Sequence, residues 1–202
     1  MLRTTDAIVL SLQPYSDKAH MLHAYTRTGG RVNYTVYGLG RKNPIGIYMP
    51  LSLIQITADY PANGLPTLRE AVLQAKPVLQ RSGLTAKRSY TVSDPYKQSI
   101  VLFISEVLYH VLRHPMPDEP MFDFLVQAIQ ELDEAQEVQN FHLQFLIDFA
   151  AKLGFAMEKI PLLPLTRTDR QKQLQQLCAY FDEHVETWQT PKSLDVLMEV
   201  FD

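Results

Sequence analysis

Residues 30–44, GRVNYTVYGLGRKNP, gather the side chains that hold phosphates. An alternating run from Arg31 to Tyr37 leads into Gly38-Leu39-Gly40 and two adjacent cations, Arg41 and Lys42. The spacing argues against a nucleotide cradle. A phosphate loop of the Gly-Lys-Ser/Thr kind places four residues between its glycines and opens a helix. Here one residue separates the glycines and Asn43-Pro44 follows. A dinucleotide turn needs a third glycine and a helix, and both are missing. Two readings remain at this point: a turn whose cations are merely solvated, and a surface that grips a polyanion.

Other candidate chemistry is thinner. His20 and His23 stand three apart on a strand pattern, which points them to opposite faces. His110 and His114 are four apart near a helix end, without the neighbouring Glu or third ligand of a zinc helix. Their better explanation is a favourable interaction with the helix dipole. Cys178 is the single cysteine, so the chain has neither a disulfide framework nor a cysteine-based zinc site, and it reads as a core or half-buried thiol. Glu131, Asp133, Glu134 and Glu137 read as a solvated helix-end run. There is no Gly-x-Ser-x-Gly elbow and no carboxylate pair that stands out from an ordinary surface. Binding is therefore favoured over catalysis, and no enzyme activity and no cofactor are expected.

Charge supports binding. Residues 1–90 carry eleven Lys/Arg against four Asp/Glu, a net of +7, whereas residues 91–202 carry eight against eighteen, a net of −10. A basic half attracts polyanions at long range, and an acidic half does not. Cations track phosphates, and aromatic faces stack unpaired bases. Arg27, Arg31, Asn33, Tyr37, Arg41 and Lys42 supply both kinds of group within one hairpin and its exit. Tyr34 reads instead as core, on the face it shares with Val32 and Val36. No segment approaches the roughly 18 apolar residues of a membrane span. The N-terminus lacks the pattern of a signal peptide, and a cytoplasmic location is expected.

Period-two patterns place strands at Ala7–Leu12, His20–Tyr25, Arg31–Tyr37, Leu51–Thr57 and Thr67–Leu73, with Thr28-Gly29-Gly30 as a hairpin turn. Short strands with Gly/Pro punctuation and no intervening helix predict a small barrel or sandwich. Beyond Ser93-Asp94-Pro95 the period becomes helical. Helices are expected after Pro95, from Pro120, from about Val138 to Gly154, from Asp169 to about Trp188, and after Pro191. The fold class is α+β in two domains: residues 1–80 a five-stranded barrel, residues 81–202 all helical. The change falls near RSGLTAK, residues 81–87.

The segments AIVLSLQPYSDKAHMLHAYTRTGGRVNYTVYGLGRK, PLSLIQI, LPTLREAVL, KQSIVLFISEVLYHVLRHPMPDEPMFDFLVQAIQELD, NFHLQFLIDFAAKLGF and SLDVLMEVF resemble, in order, the RecO family of bacterial recombination mediators. Each motif alone is soft; their order is more specific. The resemblance implies an oligonucleotide/oligosaccharide-binding (OB) barrel and a helical C-terminal region. It also implies non-enzymatic binding of single- and double-stranded DNA and annealing of complementary strands. The implied partners are RecR and single-strand binding protein, with RecA loading as the indirect outcome, in the cytoplasm at the nucleoid. DNA contact carries over first to Arg31, Arg41 and Lys42, then to Arg27 and Lys18, with Tyr37 as the stacking residue. Many members carry a four-cysteine zinc module after the "LGF" segment. Here LGFAMEKIPLLPLTRTD runs directly on, so the module looks deleted and zinc is not expected. Two rivals stay open: an adaptor of the same pathway with weak or lost DNA binding, and an enzyme site assembled across the two domains.

Overall fold

The structure, a computed structural model, describes residues 1–40, 44–74, 94–157 and 166–201. They group into two compact units: one holds the described residues of 1–89 together with 112–126, the other those of 90–111 and 127–202. The expected boundary at 80/81, and RSGLTAK with it, lies outside the described residues. Residues 112–126, counted with the helices from sequence, group with the strands.

In the first unit, β1 (Leu2–Ser16), β2 (Ala19–Thr26), β3 (Gly30–Tyr37), β4 (Leu53–Asp59) and β5 (Thr67–Leu73) close into a barrel in the order β1-β2-β3-β5-β4. The neighbours are antiparallel except β3 and β5, which meet in parallel at Thr35 and Thr67. This is the OB-type barrel that was expected. The first strand is longer at both ends than its apolar pattern, Ala7–Leu12, because it pairs with β4 through Leu2–Ile8 and with β2 through Ala7–Ser16. Backbone pairing, not side-chain burial, extends it. A 3₁₀ turn, Ile45–Tyr48, lies between β3 and β4.

The interior is built from Ala7, Val9, Leu22, Ala24, Tyr34, Val36, Ile54 and Ile56, which follow the strand period. Tyr34 is fully buried, with its hydroxyl 2.8 Å from that of Tyr60. Burial raises the Tyr34 phenol pKa, and the bond to Tyr60 adds to the shift.

Residues 112–126 lie along the turn end of the β2–β3 hairpin. The Arg31 N–H donates to the His114 carbonyl at 3.1 Å. Tyr25 stacks on Phe122 with centroids 6.3 Å apart. Burial pushes the Tyr25 phenol up to about 12, with Asp118 pushing the same way. Gly30 makes the approach possible: its φ is +59°, and a Cβ there would stand 2.2 Å from the Met116 carbonyl oxygen and 2.8 Å from that of His114.

The helices are α1 (Pro95–Val111), α2 (Glu119–Glu134), α3 (Phe141–Lys152), α4 (Arg167–His184) and α5 (Leu194–Val200). Residues of α2 up to Val126 count with the barrel, and the rest with the helical unit. Asp94 caps α1 by accepting the Tyr96 N–H at 2.9 Å. Past α3, the Phe155 N–H reaches the Ala150 carbonyl and the Gly154 N–H that of Ala151, both at 3.1 Å, a Schellman ending. Phe145, Phe149, Phe181 and Trp188 form a continuous run of ring contacts in this unit's core. His142 is buried between Phe103 and Phe201, and its Nδ1 has no hydrogen-bond partner. Burial holds its pKa down at about 4, and the charge of Arg170 pushes in the same direction.

Two outcomes follow. Gly30→Ala should cost ~2 kcal/mol or more, from the left-handed backbone and the collision with residues 114–116, read as a fall in urea midpoint. His142 is neutral when folded and charges readily when unfolded. Its contribution is thus complete above about pH 6.5 and is lost as pH falls through about 4. Wild type should lose on the order of 2–3 kcal/mol more than His142→Leu between pH 7 and pH 4, measured by denaturant titration at each pH.

Candidate nucleic-acid interface

The register of the hairpin fixes which side chains share its outer face. Tyr25 faces Arg31, His23 faces Asn33, Met21 faces Thr35, and Ala19 faces Tyr37. From β1, Ser11 faces His23, Gln13 faces Met21, and Ser16 faces Ala19. Three strands therefore share one outer face, covered at Tyr25 by Phe122 and exposed at Gln13, Ser16 and Tyr37. In OB barrels the face of strands two and three, with the loop joining strands one and two, is where oligonucleotides lie.

A polar cluster occupies the middle. Asn33 Oδ1 is 2.7 Å from His23 Nδ1 and accepts from Arg31 Nε at 3.4 Å. With two donors converging on one carbonyl oxygen, His23 carries its proton on Nδ1. Burial lowers its pKa below the usual histidine range. Arg31 pushes the same way, against the bond to Asn33. The Arg31 guanidinium is thus anchored at its Nε edge to its own strand.

The residues expected to touch DNA fall into three groups. Arg31 and Tyr37 lie on the outer face, and Lys18 is exposed in the two-residue turn between β1 and β2. Arg41 and Lys42 lie outside the described residues, and the chain approaches them through Gly38 (φ +68°) and Gly40 (φ +88°), a left-handed path that glycine takes without strain. Arg27 lies past the other end of β2. Its Nη1 is 2.8 Å from Asp123, its Nε 3.7 Å from Asp6, and its guanidinium carbon 4.5 Å from the Phe122 ring centroid. This charge is engaged within the barrel unit. So is Arg69, 3.1 Å from Asp59, while Arg3 lies over the Tyr60 ring at 5.0 Å.

His23 is a participant that its spacing to His20 does not reveal, since its partner, Asn33, stands across the hairpin turn. The observed turn, residues 27–29, is centred on Thr28, which makes His23 and Asn33 partners; the turn expected from sequence, Thr28-Gly29-Gly30, is centred one residue later and would pair His23 with Thr35 instead. Cys178 is buried, which pushes its thiol up to about 11. Among the described residues no three His, Cys, Asp or Glu side chains are grouped to hold a metal ion.

Comparison with known proteins agrees with this architecture. Residues 1–76 match the family model described as Recombination protein O N terminal, and residues 92–159 match Recombination protein O C terminal. The chain belongs to the RecO family. It is 35% identical to the DNA repair protein RecO of Phocaeicola vulgatus over 163 residues, covering 76% of this chain and 61% of that relative. Its identity to the RecO of Christiangramia forsetii is 25% over 249 residues, and to that of Bacteroides fragilis 27% over 252, each covering the full length of both chains. A 202-residue chain aligned over 249 positions leaves gaps where the relative has additional residues.

The engagement of Arg27 separates stability from binding. Arg27→Ala should lower the thermal stability of the protein, by about 1–2 kcal/mol for the lost ring contact and part-exposed ion pairs. Arg27→Lys should recover only part of it, because a point charge cannot serve two carboxylates and a ring face together. Thermal melts of the two variants check this.

Proposed function

We propose that this RecO-family chain acts in DNA repair as a non-enzymatic DNA-binding recombination mediator. Its barrel holds single- and double-stranded DNA and promotes annealing, and its acidic helical unit docks protein partners. The family points to RecR and single-strand binding protein as those partners, with RecA loading onto coated DNA as the result, in the cytoplasm at the nucleoid. One observation carries the reading. The outer face of β2–β3 aligns Arg31 and Tyr37, with Lys18 in the adjoining turn, and β3 runs on toward Arg41 and Lys42. Lys18 has no ion pair among the described residues. Arg27 acts first in holding residues 112–126, and any DNA contact it makes competes with Asp6 and Asp123.

A second reading has its own support. Residues 112–126 bring Asp118, Glu119 and Asp123 against one cation, Arg113, into the barrel unit, which reduces its positive charge. An adaptor that binds proteins of the pathway and DNA only weakly would fit that arrangement.

Combined charge reversal, Arg31→Glu, Arg41→Glu and Lys42→Glu, should weaken single-strand binding by tenfold or more. It should also flatten the log–log salt slope by about 2, since each lost phosphate contact contributes about 0.7 on single strands. Wild type that fails to bind oligonucleotides at low salt, yet retains RecR or single-strand binding protein in a pull-down, would favour the adaptor. A strand-annealing assay on bare and protein-coated DNA tests the mediator role itself.

A further inference from the structure

We propose that Asp123 stands in for a DNA phosphate at Arg27, so that the free protein inhibits its own cation and binding exchanges one carboxylate for one phosphodiester oxygen. The inference rests on the DNA-binding reading above. It adds to it a contact at the β2–β3 turn and a competitor built into the chain.

Most of what surrounds Arg27 is fixed. Its backbone N–H donates to the Asp6 carbonyl at 3.0 Å. Its Nε lies 3.7 Å from Asp6 Oδ2, and its guanidinium carbon 4.5 Å from the centroid of the Phe122 ring. Asp6 is held in turn, because its Oδ1 accepts from Gln74 Nε2 at 2.6 Å. Phe122 is buried, with Tyr25 stacked on it. Withdrawal of Asp123 therefore leaves the guanidinium in place.

Asp123 is the exception. Its carboxylate takes Arg27 Nη1 at 2.8 Å, yet its side chain is 64% exposed. Among the described residues it bonds to no other group. Rotation of this one side chain opens Nη1, and neither α2 nor the approach to Gly30 has to move. The arginine fork accepts a phosphate oxygen as readily as a carboxylate oxygen. A phosphate arriving there meets a cation already ordered by Asp6 and Phe122, so little side-chain entropy is lost in the contact. The opposing effect is competition. A tethered carboxylate is always at hand, and it lowers the apparent affinity by the fraction of time that Arg27 is occupied. Part-exposed ion pairs are weak enough for a phosphate to displace the carboxylate. Two other acids of the segment differ. Asp118 accepts the Met121 N–H at 2.9 Å, and Glu119 is exposed without an ion pair among the described residues.

The test uses the full chain and fluorescence anisotropy of labelled oligo-dT across a salt series. Asp123→Asn keeps the side chain's shape and removes its charge, and should tighten binding about three- to fivefold at low salt. The log–log salt slope should steepen by about 0.7, one phosphate contact on a single strand, so the gain shrinks as salt rises. Asp123→Glu keeps the charge and should bind as wild type does. Glu119→Gln changes the charge of the same segment equally without touching Arg27, and should stay within about 1.5-fold of wild type. In an Arg27→Gln background, Asp123→Asn should have no effect. Thermal melts show whether that background is folded at the assay temperature; if it is not, Asp123→Glu and Glu119→Gln decide. Equal gains from Asp123→Asn and Glu119→Gln would overturn the exchange, since overall charge alone would then matter. So would oligo-dT binding that Asp123→Asn leaves unchanged, and in that case the DNA-binding reading would stand. Failure of both wild type and Asp123→Asn to bind at low salt would remove both.

Discussion

The rest of the barrel depends on β1 having to pair along both of its edges. A sheet closes only if its first strand also pairs with its last, and here Leu2–Ile8 of β1 serves β4 while Ala7–Ser16 serves β2. That demand explains why a strand with an apolar centre of six residues extends over fifteen. It also explains the irregularities. The register shifts between Val9 and Ser11 and again between Pro14 and Ser16, where a long, bent strand has to follow a curved partner. Because β1 runs on to Ser16, the outer surface of β2–β3 continues on to a third strand and ends in the turn that carries Lys18.

The hairpin that bears the candidate interface is held at one end and exposed at the other. At the held end, Gly30 lets residues 112–126 approach the backbone, Tyr25 stacks on Phe122, and Arg27 joins Asp6, Asp123 and the Phe122 ring. These contacts use Arg27, a cation that the sequence assigns to DNA, together with two rings. At the exposed end lie Tyr37, Lys18 and Tyr15. The +7 charge of the first 90 residues is thus not one uniform field. It is divided between cations that hold the unit together and cations on its outer surface.

The helical unit solves a different problem. It gathers most of the acids of the chain and still buries a continuous aromatic core, within which His142 has to remain neutral. A histidine flanked by Phe103 and Phe201 with an unpartnered Nδ1 carries only the cost of one unsatisfied nitrogen at neutral pH and becomes a larger liability in acid, when it must take up a charge. Glu106, by contrast, is retained as a charge because the Ser193 N–H and hydroxyl, at 2.9 and 2.8 Å, both donate to it at the start of α5.

Much of this was legible in the residues themselves. Period two placed Tyr34 and Val36 inward and Arg31 and Tyr37 outward, and β5 spans Thr67–Leu73 as its pattern indicates. Gly154 marked the end of α3, and the ordered motifs marked the family. These features are local, or repeat with a fixed period, so the chain determines them before it folds. What the tertiary structure decided concerns partners distant in sequence. The polar ends of β1 show no apolar alternation, so only their backbone pairing reveals them as strand. The proline-punctuated run HPMPDEP gives no sign that it will lie against Gly30. Arg27 and Lys18 are both basic residues next to a turn, and nothing in their immediate neighbours tells them apart. The difference is that Asp123, 96 positions along the chain from Arg27, arrives 2.8 Å away from it, while among the described residues no carboxylate pairs with Lys18. Charge is a property of the sequence, but whether a charge is already neutralised depends on what the fold brings beside it.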